Sequence, residues 1–99
     1  MTRSEILGDV WVERERQQSK FGPQRRTSGT WVGFKATADN YRRLCDLMEA
    51  QGGASWFAIL MEEVYEAAAE EDKTRMRAEL VQVAAVAVAW IENLDNGVA

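Results

Sequence analysis

An all-α bundle of four helices, the last two forming a C-terminal hairpin, is the fold that this sequence predicts. Three observations carry that prediction. Apolar residues recur at helical spacing in four segments. Each segment begins within one residue of a residue able to cap a helix, and glycines follow two of them, Gly52-Gly53 and Gly97. The only proline, Pro23, and three of the seven glycines fall in one stretch between the first two segments.

The first segment, residues 4–19, carries Ile6, Val10 and Trp11 among many charges. It reads as an amphipathic helix with a thin apolar stripe, capped by Ser4 and weakened in its first turn by Gly8. Residues 21–37 read as a loop, with aromatic Phe21, Trp31 and Phe34 beside cationic Arg25, Arg26 and Lys35. A second helix is expected over 38–51, capped by Thr37, with Tyr41, Leu44, Cys45, Leu47 and Met48 facing inward. The third, 54–71, has Ser55 as its candidate cap and Trp56, Ile59, Leu60 and Val64 as its apolar face. The fourth, 73–95, has Asp72 as its cap, Gly97 just past its end, and Met76, Leu80, Val83, Ala87, Trp90, Ile91 and Leu94 at helical spacing.

Between Leu80 and Ile91 the fourth segment is apolar on nearly every side. Its twelve residues fall short of the ~20 needed to cross a bilayer, so it reads as a buried helix. Such a helix must be covered all round. Three other short helices do not suffice, so a homo-oligomer, dimer or tetramer, is expected to cover the rest.

With 99 residues the chain fits a single domain, 1–99. A domain of that size buries only about two-thirds of its unfolded surface. At 46% hydrophobic and 28% charged residues, disorder is a poor reading. Residues 51–99 hold three Lys/Arg against nine Asp/Glu. That acidity argues against a nucleic-acid polymer as partner and suits a site that gathers cations. Cys45 is the only cysteine, and Met1-Thr2-Arg3-Ser4-Glu5 leads into polar sequence, so a reducing, cytoplasmic location is expected. The chain has no histidine, which excludes histidine bases, histidine triads and histidine metal ligands.

The sharpest feature is Glu62-Glu63-Val64-Tyr65-Glu66. On a helix, Glu62 and Glu66 are i, i+4 neighbours, and Glu63 and Glu66 are i, i+3 neighbours. Crowded carboxylates repel unless a hard cation such as Mg2+ joins them. A hairpin turning at Asp72 sets Glu66 opposite Glu79 and Glu63 opposite Gln82. Gln82 is the lone polar residue in the apolar run, and a buried amide needs a partner. The bland alternative is that Glu62, Glu63, Glu66, Glu70 and Glu71 form a solvated helix face; the register match with Glu79 and Gln82 weighs against it.

EEVYE, then twelve residues, then ELVQ resembles the EExxE…ExxD signature of the MazG-like all-α nucleoside triphosphate pyrophosphohydrolases. The likeness covers mainly residues 56–92. The stretch E-R-E-R-Q-Q-S-K-F-G-P-Q at 13–24 is similar to the RQ…K-(W/F)-G-x-Q segment of small bacterial and phage members. The resemblance implies an oligomeric helical bundle that binds Mg2+, with Mn2+ as a substitute, and splits a (d)NTP into the monophosphate and pyrophosphate. By position Glu63, Glu66 and Glu79 match metal ligands, and Glu62 matches a carboxylate for a second metal or for water activation. Where the family has its final Asp, this chain has Gln82. An amide oxygen coordinates a hard cation but brings no charge, which bears on turnover more than on nucleotide binding.

In that chemistry the water gives its proton to Glu62 or Glu63. Lys20, Arg25 and Arg26, in or beside the loop, are the candidate phosphate contacts. Phe21, Trp31 or Phe34 would stack on the base, with Gln17, Gln18 or Gln24 reading its edge. Two other readings stand beside the hydrolase: a nucleotide-binding protein of the same fold without turnover, and a purely structural helical protein.

Overall fold

The computed structural model describes residues 1–99 and is all-helical, with four helices and no strands. These are α1 (Arg3–Phe21), α2 (Phe34–Ala50), α3 (Trp56–Ala69) and α4 (Lys73–Asp95). No helix is long and apolar enough to cross a membrane. The chain divides into two units, one of residues 29–87 and one of residues 1–28 and 88–99.

In the larger unit α2 packs against α3. Ala38, Tyr41, Cys45 and Met48, spaced three and four residues apart, form the inner stripe of α2; Ala38 and Cys45 are buried, the other two half-buried. Leu47, expected on that stripe, is 63% exposed, and Leu44 also lies on the exposed side. The helical period puts Leu47 off the stripe and Leu44 at its edge.

A chain of aromatic contacts joins the two helices. Tyr41 stacks on Tyr65 with ring centres 5.7 Å apart, Phe34 meets Tyr65 at 5.8 Å, and Trp31 meets Phe34 edge-on at 5.4 Å. The Trp31 amide donates to the Ala68 carbonyl at 2.8 Å, which fastens the loop to α3. The Trp31 indole covers Gly33, where any Cβ would collide with the ring. These contacts explain why α2 begins at Phe34 rather than at 38. Gly33 offers no side-chain cap. The Trp31 and Val32 carbonyls accept from the Phe34 and Lys35 amides, and ring packing holds the added turn. Thr37 lies inside the helix and is not its cap.

The other caps follow local chemistry. Ser55 Oγ accepts from the Ala58 amide, and Asp72 Oδ1 accepts from the Arg75 amide. Helix α2 ends with Gly53 N–H donating to Met48 O and Gly52 N–H to Glu49 O. Helix α4 ends the same way, with Val98 N–H on Asn93 O and Gly97 N–H on Leu94 O. This is the paired C-terminal motif that needs a left-handed residue, here Gly97 at φ 72°.

In the smaller unit α1 starts one residue before the expected cap. Thr2 Oγ1 accepts from the Glu5 amide and Glu5 Oε1 accepts from the Thr2 amide, each at 3.2 Å. Thr2, three residues before Glu5, wins over Ser4 because this reciprocal pair satisfies two free amides at once. Ile6 is 1% exposed, the only large side chain fully buried in the molecule. Val88 is also buried, and Arg3 pairs with both carboxylate oxygens of Glu92 at 3.1 and 3.3 Å.

Candidate metal centre

Glu63 and Glu66 stand one turn apart on α3, and Glu79 sits on the second turn of α4. One carboxylate oxygen from each lies within 4.8 Å of the others. All three side chains are half-buried. Glu63 Oε2 and Glu79 Oε2 are shielded from solvent and have no hydrogen-bond partner. Three unit charges at about 5 Å repel by roughly 3 kcal/mol per pair at a near-surface dielectric, so this arrangement asks for a counter-charge. Three converging carboxylate oxygens are a donor set that could hold a hard divalent cation.

The electrostatics agree. Burial pushes the Glu63 carboxyl above its ordinary range, and the neighbouring Glu66, Glu79 and Glu62 push it further. Burial likewise raises Glu79, helped by the charge of Glu66 and by the hydrogen bond that a neutral Glu79 carboxyl makes to it. Both groups start from an ordinary value of 4.5. The folded protein therefore binds more protons than the unfolded chain between 4.5 and the raised values, and stability falls as pH rises through that window. Glu5 and Glu13 act oppositely, because hydrogen bonds from Thr2 and Arg16 hold them low and their contribution is lost below 4.5. Metal-free protein is thus expected to melt highest in mildly acidic solution and lower at neutrality. A melting series in chelator from pH 4.5 to neutrality checks this, and a curve that rises throughout contradicts it.

Glu62 is engaged differently. Its Oε1 accepts from Arg42 Nε at 3.3 Å, while Arg42 Nη2 reaches Glu66 Oε1 at 2.7 Å. The buried thiol of Cys45 is pushed up to about 11 by burial and by its hydrogen bond to Glu62. Glu62 thus faces α2, and it is not among the three converging carboxylates.

Gln82 corrects an expectation. It is exposed, so no desolvation penalty obliges it to find a partner, and the argument from a buried amide drops out. Leu80 and Val81 beside it are 53% and 55% exposed, so this part of α4 is open rather than enclosed.

A cavity of about 270 Å3 adjoins the triad, with Lys35, Asp39 and Arg42 of α2 on one side and Glu66, Glu70 and Glu79 on the other. The substrate residues expected from sequence, between 17 and 26, belong to the other unit. Gln17 accepts from Arg14 Nη1 at 2.7 Å on the surface of α1, and Lys20 stands over the exposed Phe21 ring at 5.2 Å. Gln24 accepts from Arg26 Nε at 3.2 Å, and Arg25 is exposed. Of the proposed stacking rings, Phe34 is spent on Tyr65 and Trp31 on Phe34. The sequence reading missed Lys35 and Arg42. Residues 35, 38, 39 and 42 form an i, i+3, i+4, i+7 face, but that pattern shows only once the helix is known to start at Phe34.

The chain was compared with protein-family models, with curated proteins and with solved structures, and nothing matched in any of the three.

Proposed function

We propose that this protein is a Mg2+-dependent nucleoside triphosphate pyrophosphohydrolase of the MazG-like all-α kind, converting a (d)NTP into the monophosphate and pyrophosphate. The observation that carries the proposal is the convergence of Glu63, Glu66 and Glu79, two of them with a buried, unpartnered oxygen. When bound, Mg2+ or Mn2+ supplies charge neutralisation at the phosphates and a template for the leaving pyrophosphate. Glu66 and Glu79 would hold the cation. Glu63, which converges with them, would take the proton of the attacking water. Glu62, tied to Arg42 and Cys45, serves to hold Arg42 beside the centre. The open apolar stretch at Leu80 and Val81 supports a homo-oligomer formed through α4. The free thiol of Cys45 fits a reducing, cytoplasmic setting.

Gln82 favours a second reading, nucleotide binding without turnover. At the position of the family's last carboxylate it brings an amide and no charge, so metal affinity is lower than with four acids.

A panel of (d)NTPs with Mg2+ or Mn2+, with products separated by chromatography, tests both. The hydrolase releases pyrophosphate from at least one of them, and the binding protein shows nucleotide-dependent stabilisation without product. At ten times its dissociation constant, Mg2+ is expected to add about 1.4 kcal/mol by mass action. For a chain of this size that raises Tm by roughly 6–11 °C. No product together with no Mg2+-dependent shift rejects the metal centre.

A further inference from the structure

The cation nearest the acidic triad is part of the protein. Arg42 spans Glu62 and Glu66, and Glu66 is one of the three carboxylates that converge. Its guanidinium and a divalent ion therefore compete for the same oxygen-rich side chain. Arg42 is 57% exposed, and half-exposed ion pairs contribute little to stability, so the fork leaves Glu66 easily. Lys35 projects from the same face of α2, 69% exposed, with Nζ 3.5 Å from Asp39 Oδ1. Both cations line the cavity that Glu66 and Glu79 close. The lining of that cavity is mostly charged and offers no aromatic ring, which suits a phosphate chain better than a base.

We infer that Arg42 and Lys35 form the polyphosphate subsite of this centre, and that Arg42 doubles as the resident counter-cation of Glu66 until a metal ion replaces it. This rests on the metal-centre reading above. The exchange is one of partners only. The metal takes Glu66, Arg42 gives up that carboxylate, and its freed N–H groups turn to phosphate oxygens that the incoming ligand brings. A planar fork suits this task because it meets a carboxylate and a phosphate with the same geometry. Glu62 stays behind as the tether that keeps Arg42 at the cavity.

Two affinities with opposite responses test the inference. Binding of Mn2+ alone is followed by electron paramagnetic resonance, and binding of inorganic tripolyphosphate at saturating Mn2+ by calorimetry. Removing the competitor in Arg42→Gln is expected to tighten Mn2+ about 2–5-fold, the worth of a half-exposed ion pair. The same variant is expected to weaken tripolyphosphate about 10–100-fold through loss of charge-assisted hydrogen bonds. Lys35→Gln should weaken tripolyphosphate and leave Mn2+ affinity unchanged. Lys35 has no ion pair with the triad, so this variant keeps the test decisive even if losing the Arg42 bridge unfolds the protein. A structural role for Arg42 would move both affinities the same way. Weaker Mn2+ binding in Arg42→Gln, or tripolyphosphate affinity unchanged in both variants, overturns the inference. If the intact protein binds no Mn2+, or Glu66→Gln binds it as well as the intact protein does, the metal centre itself fails and the inference falls with it.

Discussion

Glu79→Gln is expected to abolish metal binding while raising the melting temperature of the metal-free protein. The two effects share one cause. Glu79 brings a charge into a half-buried place already holding Glu63 and Glu66, and the repulsion that would favour a bound cation also strains the fold without one. An amide of the same shape relieves that strain. The gain is about 1 kcal/mol, or 4–8 °C in Tm, in line with other stabilising changes at functional sites. The Mg2+-dependent rise in Tm then disappears. Under the proposed hydrolase function, pyrophosphate release is expected to fall about 100-fold or more, since a bound metal would supply several kcal/mol of transition-state stabilisation. Melting curves with chelator and with Mg2+, beside a product assay, read all three. A lower metal-free Tm with an unchanged Mg2+ response would make Glu79 a structural partner and nothing more.

Ile6→Ala has the largest expected effect on stability. Ile6 is the one large side chain fully out of solvent, on a helix whose other apolar residues Leu7, Val10, Trp11 and Val12 are all exposed. Truncating a buried isoleucine costs about 2–5 kcal/mol through lost burial and the space left behind. Val12, 63% exposed on the same helix, serves as the control, and Val12→Ala should stay within about 0.5 kcal/mol. Denaturant unfolding of the two variants compares them directly. A loss for Ile6→Ala no greater than for Val12→Ala would mean that α1 is not held by this residue.

What the sequence reveals here is what depends on near neighbours. Helix α4 falls at 73–95 because Asp72 and Gly97 act on amides and carbonyls within a few residues. Ser55 starts α3 for the same reason. The approach of Glu63 and Glu66 to Glu79 is legible because the turn between α3 and α4 is short, which leaves little freedom in how two helical periods align. The misses have a different origin. The first turn of α2 is made by rings from Trp31, Phe34 and Tyr65, up to 34 positions apart, and no local signal announces it. Arg42 meets Glu62 and Glu66 across 20 and 24 positions, over the connection at residues 51–55, which is longer than the three residues between α3 and α4. Gln82 is exposed because an apolar neighbourhood in sequence is not an apolar neighbourhood in space.

Tyr65 lies between the two metal-candidate glutamates of α3, clasped by Tyr41 and Phe34. Successive side chains leave a helix about 100° apart, so fixing one bearing fixes all the others. The aromatic clasp thus sets the azimuth of the whole rod. While Tyr65 is keyed into α2, Glu66 must point a little over a quarter of a revolution away, and α3 has no free spin with which to scatter its acids into solvent.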